Sequence, residues 1–476
     1  MIRQVAYPDT TLDRHRPHYG LPMSDAHPRV QPFLASELGN TSYLVADPDS
    51  GEAVAIDPFR DIDQYLVAAE QGNLRLQHSL DTHLHNDFVS GGRELKGAAG
   101  TALEPLADGD ELVIGRWRLR AIHTPGHTPD HLSYLLADGN GRPHSLFSGG
   151  SLMVGAIGRT DLFGPHNAVH LAMEAFRTLK VRLRSLPDDV RLLPTHGGGS
   201  FCASATTDRR ESTLGEERLT NPYLTTNEVM PFIARALHQG RYPDYYRGMA
   251  DLNRRGAPIL GRNLPPLPRL KPHQVETFSR ERKAAIVDVR TGRDYDRGHI
   301  SGSYNIGLEG PFSAWVGWVI ESYRPIILVG GTDIEHAVAQ RQLLRIGYDN
   351  VIGALEGGME AWSAAELPLS TFETAEIEDL ATWIISAEPM TVIDTRAEEE
   401  WVHGHVPGSI HMYVPDVGHH QHEIPREAPV AVHCGVGYRA GIACSILEQA
   451  GLRRIIHVIG PYSDWDRLHL ASTIPG

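Results

Sequence analysis

Cys434 follows the apolar run PVAVH and opens a loop of Gly435, Val436, Gly437 and Tyr438 that reaches Arg439 as a helical segment begins. A strand running into a glycine-rich loop and then a helix start aims backbone N–H groups at whatever the loop encloses. The helix N-terminus and Arg439 both favour thiolate over thiol at Cys434, because each stabilises negative charge. The same cradle suits a persulfide anion, with a nucleophilic cysteine at its centre. Of the chain's 3 cysteines, Cys444 falls inside the following helix and reads as core. Cys202 reads as a packed structural thiol, with a relay of sulfur at a pocket mouth as the alternative.

A second concentration of chemistry lies in the first half of the chain. The segment THLHNDF, residues 82–88, follows an apolar run and carries His83, His85 and Asp87. Two histidines at i and i+2 after a strand can converge on one ion, and a carboxylate two residues on can reach a neighbouring position. His127 in HTPGHTPDH and His196 in LLPTHGGGS lie beside glycines in loops of the same kind. Four histidines at strand ends point to a metal. The histidines of GHHQH, residues 418–422, read instead as a solvated turn.

These groups need a framework, and the chain is long enough for several domains: 476 residues, 41% apolar and 22% charged, near the soluble globular average. Asp and Glu outnumber Lys and Arg by 59 to 44, giving a formal charge of −15; such acidity argues against nucleic acid or anionic membrane as a partner. No window approaches the roughly 20 apolar residues of a membrane span, and the start has no apolar core of leader type. So few cysteines make no disulfide framework, and a reducing, cytoplasmic setting is expected.

The proline-rich stretch GAPILGRNLPPLPRLKPH, residues 256–273, reads as a connector, since proline disfavours helix and cannot donate to a sheet. After it the sequence repeats. Asp288, Arg290, Gly298, His299 and Gly302 recur 106 residues later as Asp394, Arg396, Gly404, His405 and Gly408. Further on the offset is 104, pairing Pro325 with Pro429 and Gly347 with Gly451. That period fits a duplicated domain. Short apolar runs such as PIILVGG alternate with helical segments in each copy, as in a doubly wound parallel sheet. The expected domains are residues 1–255, a linker at 256–272, and repeats at 273–372 and 373–476. On the same alignment Gly330 stands where the second copy has Cys434, and Glu335 where it has Arg439. The first copy therefore lacks the nucleophile and is expected to pack or dock.

The Cys434 loop, with VIDTR and GHVPGSIH upstream, resembles the rhodanese family of sulfurtransferases. The resemblance implies that Cys434 accepts sulfur and that Gly435 to Arg439 cradle it. Phosphatases of this fold have a loop one residue longer, so this loop implies sulfur rather than phosphoryl transfer. The histidine pattern resembles the metallo-β-lactamase superfamily, with its αββα fold. Within it, AIDP, HTPGHT, GRTD and EERLTNP are most similar to the persulfide dioxygenases, relatives of glyoxalase II. Those enzymes hold one ferrous iron through two His and one Asp and oxidise glutathione persulfide. The two His ligands map to His83 and His127, but the Asp position is Gly150, and Phe88 replaces the last His of the first motif. A dinuclear site loses two ligands by these changes. His83, His85 and His127 remain as a three-histidine set for one ion, Fe(II) or Zn(II), with Asp87 and His196 nearby; Asp161 is a weak substitute ligand. A vacated site kept as scaffold is the other reading.

The chain thus reads as a sulfur-handling enzyme that takes sulfane sulfur from thiosulfate or a low-molecular-weight persulfide onto Cys434. The acceptor is glutathione or a similar thiol, or a sulfur-acceptor protein. The alternatives are a metal-dependent thioester hydrolase and a non-catalytic front domain that docks such a partner. The resemblance allows a homodimer.

Overall fold

The computed structural model describes residues 27–103, 105–202 and 207–468; the opening segment, read above for a leader, lies outside them. Two sheets form the front of the chain. In the first, strands Arg29–Ala35, Asn40–Ala46, Glu52–Ile56 and Arg75–Leu80 lie in chain order. In the second, Ser212–Thr213, Arg191–Pro194, Pro143–Gly149, Leu132–Ala137, Trp117–His123 and Glu111–Ile114 follow one another across the sheet. Strand alternation assigns each residue its layer. Tyr43, Val45, Val54 and Ile56 point inward to meet Leu119, Tyr134, Leu136 and Phe147 of the other sheet. Their neighbours Leu44, Ala46, Ala53 and Ala55 point outward, beneath helix Asp63–Gln71 and Leu95 of helix Gly92–Ala99. On the far side, Leu135, Leu146 and Leu192 pack under helices Pro165–Arg177 and Val229–Leu237. The expected αββα sandwich results.

The duplication is equally plain. Strands Arg269–Leu270, Val351–Leu355, Ile326–Val329, Ala285–Asp288 and Tyr304–Asn305 make one all-parallel sheet. Glu373–Glu376, Ile455–Ile459, Val430–His433, Thr391–Asp394 and Ile410–His411 make the second in the same order. The repeated Asp and Arg serve this fold. Arg396 donates to Asp394 at 2.7 Å and to the Gly404 carbonyl at 2.7 Å; Arg290 does the same with Asp288 at 2.6 Å and Gly298 at 2.8 Å. Arg269–Leu270, inside the stretch read as linker, already forms a sheet edge. The connector is also pinned to the front: Glu94 accepts from the Leu260 and Gly261 amides at 2.8 and 3.0 Å. Among the described residues no helix is long and apolar enough to cross a membrane.

One apolar cluster runs through all three units, joining Leu38, Phe59 and Phe88 to Val287, Trp315 and Tyr348, and on to Val414 and Ile442. Beside it lies a buried ionic joint. Arg345, on helix Asp333–Arg345, donates to both Asp61 oxygens at 2.8 and 2.7 Å and to Glu37 at 2.7 Å. Arg341 spans Asp61 and Asp63 at 2.8 and 2.7 Å. Burial alone would raise the Asp61 carboxyl, but Arg345 and then Arg341 outweigh it and hold it below the ordinary carboxylate value. Arg345→Met strands the buried Glu37 carboxylate and leaves Asp61 with Arg341 alone, which costs about 3–5 kcal/mol, and thermal unfolding should read this as a lower midpoint for the front unit and first repeat. The pH sign follows from the lowered Asp61 value. The joint stabilises the fold at neutral pH, and acid titration should weaken it only below pH about 4, where the free carboxyl protonates.

Candidate active sites

Four loops leave the same end of the sandwich. Leu80 ends a strand and leads into His83 and His85; the loop after strand Trp117–His123 carries His127; Gly150 follows strand Pro143–Gly149; His196 follows strand Arg191–Pro194. Each side chain of chemical interest therefore hangs from a strand end fixed by the core. The rings meet: centroids are 4.8 Å apart for His83 and His127, 5.3 Å for His83 and His196, and 5.3 Å for His127 and His196. All are buried.

The hydrogen bonds fix which nitrogens face inward. The Thr82 hydroxyl gives its hydrogen to Asp57 at 2.9 Å, so it accepts from His83 Nδ1, also at 2.9 Å. His196 Nδ1 faces Asn40 Oδ1 at 3.0 Å and Asp87 at 3.1 Å, both acceptors. The inner Nε2 atoms of His83 and His196 are thus bare, and they lie 3.3 Å apart. Two lone pairs at that distance repel unless a cation lies between or beside them. His127 donates through Nδ1 to the Arg159 carbonyl at 2.8 Å, and its buried Nε2 has no partner. His85 gives Nε2 to Asp57 at 3.1 Å and leaves buried Nδ1 unpartnered. Burial and the neighbouring imidazoles hold His83 well below the usual histidine value, and burial with His196 pushes His127 down to about 3. Neutral imidazoles with their outer nitrogens held by acceptors are the form in which histidine binds metal.

The ligand set differs from the expected one. His83, His85 and His196 bring one nitrogen each within 4.8 Å of one another, and His127 groups instead with His196 and Cys202. His196 is therefore the shared corner of both groups, where the sequence suggested His83, His85 and His127. Asp87 is no direct ligand: it accepts from Asn40 Nδ2 at 2.7 Å and from His196, and so orients the ring. Asp161 is committed to Arg159 at 2.6 and 2.7 Å and supplies no substitute carboxylate. Gly150 is required, since a Cβ there would come 2.4 Å from the His127 ring. Phe88 stacks on His85 at 4.1 Å. Cys202 is fully buried beside the histidines, and burial followed by the Asp87 carboxylate pushes its thiol well above the ordinary range.

Sequence reasoning did not single out Asp57, Asn40 or His131. Asp57 binds the Thr82 amide at 2.6 Å, the Thr82 hydroxyl, His85 and Thr195, with φ of 50°. His131 accepts from the Gly150 amide at 3.0 Å. A carboxylate ending the apolar run EAVAI was the available signal for Asp57.

At the other site, strand Val430–His433 delivers Cys434 to the start of helix Tyr438–Gln449, and the Gly437 amide donates to its Sγ at 3.0 Å. Gly437 has φ of 96°, a conformation glycine adopts without strain. Arg439 forks onto Glu400, at 2.8 Å for one arm, so its guanidinium is fixed beside the loop and partly neutralised. Glu400 was not foreseen. The first repeat completes the cradle. Tyr438 donates to the Gly307 carbonyl at 2.9 Å. His457 spans Asp296 of the first repeat at 2.8 Å and the Gly437 carbonyl at 2.9 Å, so Asp296, His457 and Gly437 form a chain ending at Cys434 Sγ. In the first repeat itself, Gly330 follows strand Ile326–Val329 and a Cβ there would strike Asp288 and Arg290 at 2.5 Å. Glu335 caps its own helix by accepting from the Thr332 amide at 2.6 Å. That loop has neither room nor charge for a sulfur acceptor.

A cavity of about 1940 Å³ opens beside the Cys434 loop, lined by Arg159 and Ser200 of the front, Trp315 of the first repeat, and Val436 and Arg439; His83 and His85 line a separate pocket of about 650 Å³.

Known proteins agree with this architecture. The rhodanese-like domain family matches residues 271–365 and 376–468. The chain is 30% identical over 200 residues to the human mitochondrial persulfide dioxygenase, covering 39% of this chain and 71% of that protein. It is 32% identical over 181 residues to the hydroxyacylglutathione hydrolase of Nitrosococcus oceani, covering 35% and 65%. A solved metallo-β-lactamase from Staphylococcus aureus is similar at 30% identity and TM-score 0.61, covering 69% of this chain and 99% of that one. The histidine-lined sandwich and the duplicated sheet behind it place this chain in the persulfide dioxygenase-like family of the metallo-β-lactamase fold, fused to two rhodanese-like domains.

Proposed function

We propose that this enzyme of sulfur metabolism is a sulfurtransferase whose acceptor is Cys434, working beside a front unit that handles persulfide. The observation that carries the reading is the cradle, with a cysteine at a strand end, an amide donating to its sulfur at 3.0 Å, and a fixed guanidinium alongside. The Cys434 thiolate attacks the outer sulfur of thiosulfate. The S–S bond breaks, sulfite departs with the electron pair, and Cys434 carries a persulfide anion. The Gly437 N–H and Arg439 stabilise that anion, and Glu400 keeps Arg439 from swinging away. An incoming thiolate then takes the terminal sulfur, forming a new persulfide and returning Cys434 to thiolate.

At the front, the metal would be held at His196, the corner shared by His83 and His85 on one side and His127 on the other, and Asp57, Thr82, Asn40 and Arg159 would orient these rings. A bound divalent ion would supply a Lewis-acidic centre with open positions for a sulfur or oxygen ligand. The buried walls exclude water, and Asp87 keeps the His196 N–H outward. The family's carboxylate is absent at Gly150, so no dioxygen chemistry is derived from these residues.

Treatment with thiosulfate should add the mass of one sulfur atom to the peptide containing Cys434, and cyanide should remove it. An unchanged peptide in mass spectrometry would reject the assignment.

A further inference from the structure

We infer that Cys202 is a metal ligand, its thiolate replacing the carboxylate that Gly150 lacks, so that His127, His196 and Cys202 form an N₂S site for a borderline-soft divalent ion such as zinc. The inference rests on the reading that the front unit holds a metal, and not on the sulfur transfer assigned to Cys434.

Packing leaves His127 one open direction. Gly150 and Gly158 press on its ring, and a Cβ at either would come within 2.4 or 2.6 Å of it. Its Nδ1 is spent on the Arg159 carbonyl at 2.8 Å. The remaining nitrogen is buried and unpartnered, and His127 groups with His196 and Cys202, one ligand atom of each lying within 4.8 Å of the others. His83 borders the same space, its Nε2 3.3 Å from that of His196.

One residue sets two of the ligands. The Arg159 carbonyl holds His127, and the Arg159 amide donates to the Cys202 carbonyl at 2.7 Å. The Cys202 amide donates to Ser200 Oγ at 3.1 Å, and Arg159 Nη1 donates to the Phe201 carbonyl at 3.0 Å. The loop carrying the thiol is therefore tied at two successive residues, Phe201 and Cys202, to the segment that orients His127. A thiol packed only for volume has no need of such a tether, nor of two imidazoles turned toward it with their lone pairs inward.

Charge gives the same answer. With imidazoles as the only direct ligands, a buried divalent ion is balanced only through the rings, by Asp87 behind His196 and Asp57 behind His85, and burying charge without a direct counter-charge is costly. A thiolate restores one negative charge, and nitrogen with sulfur is the donor mix that zinc accepts with three protein ligands and one open position. On binding, the sulfur–metal bond forms as the S–H bond breaks. The hydrogen leaves as a proton to solvent, and no electron changes hands.

The test uses the full chain carrying Cys434→Ser, so that the rhodanese-like thiol contributes nothing. Loaded with zinc, it should give an X-ray absorption spectrum at the zinc edge with one sulfur neighbour at about 2.3 Å beside nitrogen neighbours. Loaded with cobalt(II), it should show a thiolate-to-metal charge-transfer band in the near ultraviolet. Adding Cys202→Ala should remove that band and weaken cobalt binding at least about tenfold. A zinc edge showing nitrogen and oxygen only, a cobalt band that survives Cys202→Ala, or a protein that binds neither ion would each overturn the assignment. If the Cys202→Ala chain does not fold, the zinc edge of the chain that retains Cys202 still decides.

Discussion

Cys434→Ser is expected to lower sulfur transfer from thiosulfate to cyanide by at least about a thousandfold, in steady-state assays at neutral pH. A serine hydroxyl is a far weaker acid and nucleophile than a cysteine thiol, and oxygen is a poor sulfur acceptor. No other thiol can substitute: all three cysteines are buried, but Cys202 and Cys444 lie outside the loop and burial pushes their thiols well above the usual range. Serine still accepts from the Gly437 amide, so circular dichroism should report an unchanged fold. Activity within tenfold of the parent chain would assign the chemistry elsewhere.

His196→Ala should bring the second large effect, a loss of bound metal from the front unit. His196 belongs to both groups that hold more than one histidine, whereas His83 and His127 each belong to one and His85 also converges with Asp57 and Asp81. Its removal should weaken metal binding more than about a hundredfold, beyond the usual loss for a group that only orients a ligand. Elemental analysis after dialysis against a weak chelator measures this directly. The substitution also leaves Asp87 with Asn40 alone, at about 1–3 kcal/mol for the missing hydrogen bond. Metal content equal to the parent chain would remove His196 from the site.

The sequence reading succeeded where information is contiguous. A strand, a glycine-rich loop and a helix start lie next to one another around Cys434, and the offset of about 105 residues exposes the duplication. The histidines were also visible, because each follows an apolar run that ends in the same layer. What they do jointly was not visible. Which nitrogen faces inward is decided by Asp57, Asn40 and Arg159, and residues 40 and 196 are partners across 156 positions. The expected trio therefore left out His196, the ring that both histidine groups share. Arg345 looked like one more turn of a periodic helix, and only the packed fold shows the two carboxylates it neutralises. The Glu400 fork on Arg439 was hidden for the same reason.

The chain from Asp296 through His457 to Gly437 changes what the duplication means. The copy that lost its nucleophile is now part of its sibling's architecture, because its carboxylate holds the ring that holds the acceptor loop. The two copies are no longer interchangeable modules. Cutting the chain before residue 373 would remove both Asp296 and the Gly307 carbonyl that anchors Tyr438. The terminal piece would keep its nucleophile yet lose the scaffold that aims it. The proposed chemistry at Cys434 would therefore depend on residues of a domain that has no cysteine of its own.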